Sequence, residues 1–190
     1  AMIEHEGKTY IFVDTAGIRK HAAMVRSGTK LEQQGVERTL EILKRTQVAL
    51  FVMDVTRGIT AQDRHLAGVL AESGVSTVIV VNKLDLIENK TPTSVNKMEA
   101  EVRGWLPQLK YAPVIFTSAL TGQRAKKLFP LIDTVFSHRF TRLSDDEAHQ
   151  FMSRAIVRHK PVKGKGVKSP KVESFTQRGV NPPRFVLEVD

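Results

Sequence analysis

Hydrophobic residues in this chain gather into four short runs rich in β-branched side chains: TYIFVD (9–14), VALFVMDV (48–55), TVIVVNK (77–83) and PVIFTSA (113–119). Runs of that length that are almost wholly apolar predict strands covered on both faces, as in a parallel sheet. Between and after them, apolar positions recur at helical spacing and predict helices over 36–45, 61–73, 95–106 and 125–136. Strand and helix alternate, so the expected fold is α/β, a three-layer α/β/α arrangement with right-handed crossovers. Ahead of the first run, IEHEGKTY reads as the tail of an earlier strand turning through Glu6 and Gly7 into a hairpin.

After about Arg139 the pattern changes. SDDEAHQFMSRAIVRH opens on Ser144, a good N-cap, followed by three acids, and sets Phe151, Met152, Ala155 and Ile156 on one face of an amphipathic helix. KPVKGKGVKSPK then reads as a loop, and VESFTQ and RFVLEV as strands separated by RGVNPP. The expected division is a first domain over 1–140 and a small α-β-β domain, itself incomplete, over 141–190. Phe175 and Phe185, alternating along these strands, are expected in a core rather than as platforms for bases.

Composition narrows the classes. A chain of 190 residues, 41% hydrophobic and 26% charged, has enough length to bury a core. It contains no cysteine, which excludes disulfides and thiolate metal sites. No apolar run reaches the roughly 18–20 residues that span a bilayer, and the first residues lack the anatomy of a signal peptide, so a soluble cytoplasmic protein without a membrane partner is expected. The formal charge is +9, and from Arg139 onward 11 Lys/Arg stand against 6 Asp/Glu. Such a balance suits a polyanion such as RNA, although a solvated lysine-rich surface has the same composition. Arg158, Lys160, Lys163, Lys165, Lys168 and Lys171 form an acid-free stretch and are the candidates for RNA contact. GKG within it is not the GXXG clamp of an RNA-gripping KH domain, and no aromatic residue interleaves to stack bases.

Ligands of open α/β sheets sit at the carboxyl ends of the strands. The four runs end there in Asp14-Thr15-Ala16-Gly17, in Asp54, in Asn82-Lys83-Leu84-Asp85 and in Ser118-Ala119-Leu120. Guanine presents adjacent N1–H and N2–H donors that one carboxylate accepts together, a pattern adenine lacks. Asp85 supplies that carboxylate, Asn82 can hold the neighbouring loop and reach N7, and Lys83 can lay its stem along the base. Backbone N–H groups of the Ser118-Ala119-Leu120 turn can donate to guanine O6. A wrong base leaves these groups unpaired, which is a strong basis for rejection. Asp14 would accept from a water on Mg²⁺, and the Gly17 N–H would face a γ-phosphate. Each motif alone is weak, and Asp14 could simply cap the next segment. The ordered set, with Asn82 68 positions after Asp14 and Ser118 36 after Asn82, is specific.

These motifs, together with DTAGIRK, the stretch ERTLEILKRTQVALFVMDVTRGITAQDRHLAGVLAESGVSTVIVVNKLDL, and YAPVIFTSALTGQ, resemble translational-type GTPase domains. In particular they resemble the second GTPase domain of the bacterial Der (EngA) double-GTPase family. The tail SFTQRGVNPPRFVLEV is similar to the start of that family's C-terminal KH-like domain. The resemblance covers essentially the whole chain. It implies a P-loop-GTPase-like domain, incomplete at its N-terminus, followed by a small α+β KH-like domain incomplete at its C-terminus. It also implies cytoplasmic GTP hydrolysis coupled to assembly of the large ribosomal subunit, with GTP/GDP and Mg²⁺ as ligands. The implied partners are that subunit and its RNA and a first GTPase domain of the same parent chain, with no role for DNA.

Two departures qualify this. The phosphate-cradling pattern G-x-x-x-x-G-K-S/T is absent from these residues: GQRAKKL lacks the second glycine and GKGVKS has the wrong spacing. The expectation is a piece of a longer chain whose P-loop and switch I precede Ala1; the alternative is a non-hydrolysing RNA- or ribosome-binding module. Ile18 stands where Ras-like proteins carry a water-orienting glutamine. The resemblance makes an aliphatic residue expected there and implies that catalysis recruits another group or a monovalent cation such as K⁺. No catalytic residue is assigned; His21, in the basic segment after Ile18, reads as a solvated loop residue. A dinucleotide dehydrogenase is disfavoured, because no G-x-G-x-x-G follows a strand.

Overall fold

The central apolar run determines the architecture. In the computed structural model, which describes residues 1–14, 41–88, 90–158 and 171–190, the chain divides into two compact units, Ala1–Phe136 and Ser137–Asp190. In the first unit, β3 (Val48–Asp54), β4 (Ser76–Asn82) and β5 (Val114–Phe116) form a parallel sheet in the order β3-β4-β5. β4 lies in the middle and is buried from Thr77 to Val81. Its side chains divide with the period of two that a strand imposes. Ile79 and Val81 enter one core with Phe51, Met53 and Phe116, while Val78 and Val80 enter a second with Ile115, Leu50 and Leu131.

Helices cover both faces, as the near-continuous hydrophobicity of these strands requires. α1 (Ala61–Ser73) brings Ala67 and Leu70 to the first core, and α2 (Pro92–Trp105) brings Val102. α3 (Leu128–Ser137) packs Leu128, Leu131 and Val135 on the other face. The starts of α1 and α2 are set by capping boxes, Thr60 with Asp63 and Thr91 with Ser94, each satisfying otherwise unpaired N–H groups reciprocally. The Thr91 box and Pro92 in the first turn explain why α2 begins three residues earlier than apolar spacing alone predicts. Gly74 ends α1 in the left-handed conformation, at φ 66°. The helix expected over 36–45 is seen in its described part, 41–45, and its first residues lie outside the described ones.

Arg103 ties α2 to the loop before β5. Its guanidinium pairs with Glu99 at 2.7 Å and donates to the carbonyls of Lys110 (3.0 Å) and Ala112 (3.2 Å). Two carbonyls of the loop feeding β5 are thus satisfied, and Leu106, Leu109 and Ala112 are fully buried.

The first apolar run keeps the expected hairpin through Glu6 and Gly7 but departs from the expected cover on both faces. Residues Lys8–Ile11 form β2, which pairs antiparallel with β1 (Met2–His5) in a separate two-stranded sheet. Ile11 and Val13 are 73% and 72% exposed, so this run is not covered on both faces. Apolar content cannot say which partner a strand takes; here the turn decides. Glu6 and Gly7 both adopt positive φ, 49° and 75°, the geometry whose twist closes a two-residue hairpin. One hairpin face is used: Tyr10 and His5 lie against Phe129 of α3, with ring centroids 4.9 and 4.2 Å away. Tyr10 donates to Asp133 at 3.0 Å, and Lys8 pairs with the same carboxylate.

In the second unit, α4 (Asp145–Arg158), β6 (Val172–Gly179) and β7 (Arg184–Val189) appear in the helix-strand-strand order the pattern predicts, with β6 and β7 antiparallel. Ser144 and Glu147 form the N-terminal box of α4, and the Ser144 N–H and hydroxyl hold the Glu147 carboxyl below its usual range. Gln177 links strand to loop, accepting from the Leu143 N–H (2.7 Å) and donating to the Thr141 carbonyl (2.9 Å). Phe175 is half-buried, whereas Phe185 corrects the expectation that both lie in a core. Phe175 stacks against Phe185 at 5.0 Å and Phe151 at 6.1 Å, yet Phe185 and Phe151 are exposed. Among the described residues a single helix faces a two-stranded sheet, and that is too little surface to bury three rings.

Truncating Leu106 to Ala should cost about 2–5 kcal/mol, the range for a fully buried leucine, whereas Thr60→Ala should cost about 1 kcal/mol through loss of a cap. Urea unfolding of the two variants checks the order; equal effects would contradict the packing described.

Candidate functional site

The parallel register brings the strand ends to one edge. Asp54 pairs with Asn82 in the β3–β4 ladder, and Val81 pairs with Phe116 in the β4–β5 ladder. The ladder then continues past the strands: the Val55 N–H donates to the Asn82 carbonyl (3.0 Å) and the Thr117 N–H to the Val81 carbonyl (2.8 Å). The Leu84 N–H reaches the Thr117 carbonyl at 2.9 Å. Leu84 itself is buried among Val81, Phe116 and Leu109 in the first core, so it anchors the loop from below. Lys83 just before it takes the left-handed conformation, φ 66° and ψ 34°, which costs a non-glycine residue about 1 kcal/mol or more.

Side chains lock the two loops to each other. The Asn82 Oδ1 accepts from the Ala119 N–H at 2.9 Å, and Thr117 Oγ1 lies 3.5 Å from the same atom. Ser118, fully buried, donates its hydroxyl to the Asp85 carboxylate and accepts from the Thr121 N–H at 3.1 Å. Asn82 and Asp85 are therefore oriented by protein groups. Asp85 has one carboxylate oxygen anchored on Ser118 and a second that can accept from outside. The Ser118 N–H donates to the Gln123 carbonyl (3.0 Å) and the Ala119 N–H to Asn82. Of the three backbone donors in the turn, Leu120, 85% exposed, is the one whose N–H has no hydrogen bond within the described residues.

A residue with no assigned role completes the cluster. Asp54, at the end of β3, pairs with the Lys83 ammonium at 2.6 Å and accepts from the Thr56 N–H (2.9 Å) and hydroxyl (2.7 Å). The Lys83 ammonium and these Thr56 donors hold its carboxyl at about 2, well below the usual carboxylate range. A carboxylate at a strand end was the only sequence signal for it; its partner lies 29 positions away.

The other candidate residues are distributed differently. Asp14 is exposed and follows β2, so it is carried by the hairpin and not by the parallel sheet. Thr15, Ala16 and Gly17, with Ile18 and His21, lie outside the described residues, as do Lys160, Lys163, Lys165 and Lys168. Arg158 is the last residue of α4, and Lys171 precedes β6, its N–H donating to Asp190 at 2.6 Å. Among the described residues no three His, Asp or Glu side chains gather in a metal-binding group. Asp14 supplies one carboxylate, a donor that would suit a Mg²⁺ held through water. No described helix is long and apolar enough to cross a membrane.

Comparison with known proteins places this chain in a family. Residues 1–138 match the model of the elongation factor Tu GTP binding domain, and the chain belongs to that family. Within it, the similarity runs to proteins named GTPase Der. The chain is 37% identical to GTPase Der of Fusobacterium nucleatum over 186 residues, 40% to that of Desulfitobacterium hafniense over 187 and 38% to that of Gloeobacter violaceus over 189. These alignments take in 98–100% of this chain and 41% of each relative, so the chain spans about two fifths of their length. Among solved structures, a GTP-binding protein engB has a TM-score of 0.44 at 22% identity, covering 60% of this chain and 72% of that one. Aquifex aeolicus Era bound to GDP and AlF4⁻ has a TM-score of 0.45 at 24% identity, covering 60% and 36%.

The low value for Asp54 fixes the sign of a pH effect. Its carboxyl is depressed on folding, so its contribution to stability is complete above about pH 4 and is lost as pH falls through about 2. A carboxyl ¹³C titration should place Asp54 near 2; a midpoint near 4 would mean that the Lys83 pair does not form in solution.

Proposed function

We propose that the edge formed by residues 82–85 and 117–120 reads the guanine base of GTP and GDP. On this proposal the chain is part of a GTP-hydrolysing protein that assists assembly of the large ribosomal subunit. The observation that carries it is the mutual locking of the two loops, Asn82 onto the Ala119 N–H and Asp85 onto the Ser118 hydroxyl. A carboxylate so held accepts the N1–H and N2–H pair of guanine without having to be ordered first. Adenine would leave it unpaired in a partly desolvated edge. The hydrolytic role is supported by the match to the elongation factor Tu GTP binding domain and by the similarity to GTPase Der over the whole of this chain. In that role Asp14 would accept from a water on Mg²⁺, whose charge would offset that of the phosphates, and Thr15, Ala16 and Gly17 would supply the backbone toward the terminal phosphate. Water would attack the terminal phosphorus in line as the bond to the β–γ bridging oxygen breaks, so that GDP leaves with that oxygen and its electron pair and the water's oxygen stays on the released inorganic phosphate; a K⁺ bound there would supply positive charge to the developing oxyanions. The region after residue 140 acts as a partial KH-like module toward ribosomal RNA, through Arg158, Lys171 and the lysines between them, and a first GTPase domain of the same parent chain is a further partner.

The base-reading proposal is tested on this chain with nucleoside monophosphates, which do not depend on a phosphate cradle. GMP at millimolar concentration should shift the amide signals of Asp85, Ala119 and Leu120, and AMP should not. Asp85→Asn should exchange that preference for XMP. Equal responses to GMP and AMP, or GMP preference surviving in Asp85→Asn, would remove the assignment. For RNA, affinity for a ribosomal RNA fragment should fall steeply with salt, and neutralising Lys163, Lys165 and Lys168 together should flatten the slope by about two to three units. A slope unchanged by these substitutions would exclude the loop from the contact.

A further inference from the structure

We propose that Asp54 is a positioning residue for the base-reading loop, acting through Lys83; this rests on the function proposed above. Lys83 lies between the two side chains that meet the partner loop, Asn82 and Asp85, and its left-handed backbone reverses the chain so that Leu84 can enter the core. A lysine side chain has four flexible bonds and a strongly hydrated head. Here the head is held at 2.6 Å by Asp54, and the stem is therefore restrained at both ends. Asp54 is itself fixed, with its other oxygen accepting both the N–H and the hydroxyl of Thr56. Its backbone is tied into the ladder directly opposite Asn82. The carboxylate thus connects β3 to the loop after β4 at the one residue of that loop whose backbone conformation is disfavoured.

The consequence concerns a ligand that the carboxylate does not touch. A base that stacks along the Lys83 stem meets a side chain already ordered, so the cost of immobilising it is met before binding. The lysine head, occupied by Asp54, is kept from wandering to Asp85, whose carboxylate would then be neutralised and unable to accept from guanine. Both effects predict that removing the Asp54 charge weakens guanine binding without altering which base is preferred, because Asp85 remains tied to Ser118.

The test has one arm without ligand and one with it. In the ligand-free chain, Asp54→Asn should shift the amide signals of Lys83, Leu84 and Asp85 and release the Lys83 side chain to fast rotamer averaging in ¹³C relaxation. In the second arm, Asp54→Asn should weaken GMP by about tenfold, the effect of one side chain left to be ordered on binding. Lys83→Met should weaken it too, and Asp54→Asn added to Lys83→Met should cost nothing further, since the carboxylate acts only through the lysine. Undisturbed loop signals, unaltered GMP affinity, or an Asp54→Asn loss that persists in full beside Lys83→Met would each overturn the inference. If Asp54→Asn does not fold, Asp54→Ser carries the same cycle. Failure of the wild-type chain to prefer GMP over AMP would strike the base-reading proposal, while the ligand-free arm would still decide whether Asp54 sets the loop.

Discussion

Burial of β4 on both faces is the constraint from which the first unit follows. A strand that is buried at every position from Thr77 to Val81, four of the five apolar, cannot have a wet side, so it must sit inside a sheet and between two helical layers. Placing it there makes its neighbours parallel, because each is reached by a crossover helix. Parallel strands end at the same edge. The convergence of the polar residues after β3, β4 and β5 is therefore a consequence of where the hydrophobic residues are.

What the edge does with that convergence depends on a few polar bonds. Backbone N–H groups at the ends of strands lose their ladder partners and must find others. Here they find one another across neighbouring loops, through Val55 to Asn82 and Leu84 to Thr117, and they find the Asn82 side chain through Ala119. A loop closed in this way needs no ligand to hold its shape. Leu84 supplies the complementary apolar anchor, so the loop is held from beneath by packing and from the side by hydrogen bonds.

Much of this was legible. The runs at 48–55, 77–83 and 113–119 carry the strands of the parallel sheet, and Asn82, Asp85 and Ser118 follow those strands in loops that their side chains link. The run at 9–14 was legible in part. Its hairpin through Glu6 and Gly7 could be read from the sequence, but its apolar content, like that of the other runs, wrongly suggested cover on both faces, because the positive-φ turn gives it an antiparallel partner outside the parallel sheet. The start of α2 was missed for a related reason: Thr91, Pro92 and Ser94 are polar or helix-breaking by propensity, and only their capping geometry makes them part of the helix. Asp54 and Lys83 show the third limit. Charge pairs between strands become visible once the register sets residue 54 opposite 82, and no periodicity in the sequence contains that information.

The same locking bears on how a site of this kind selects its base. A flexible carboxylate could turn away from a wrong base and recover water, and the discrimination would be small. Asp85 is tied by one oxygen to a fully buried Ser118 and cannot turn away without breaking that bond. On the proposed reading, adenine would meet a fixed acceptor facing no donor, and the penalty would be the desolvation of a charge, larger than the loss of a neutral hydrogen bond. Selectivity then comes from the stiffness of the edge as much as from the identity of its residues. That stiffness derives from β4, Leu84 and the loop-to-loop bonds, which are properties of the fold rather than of the ligand.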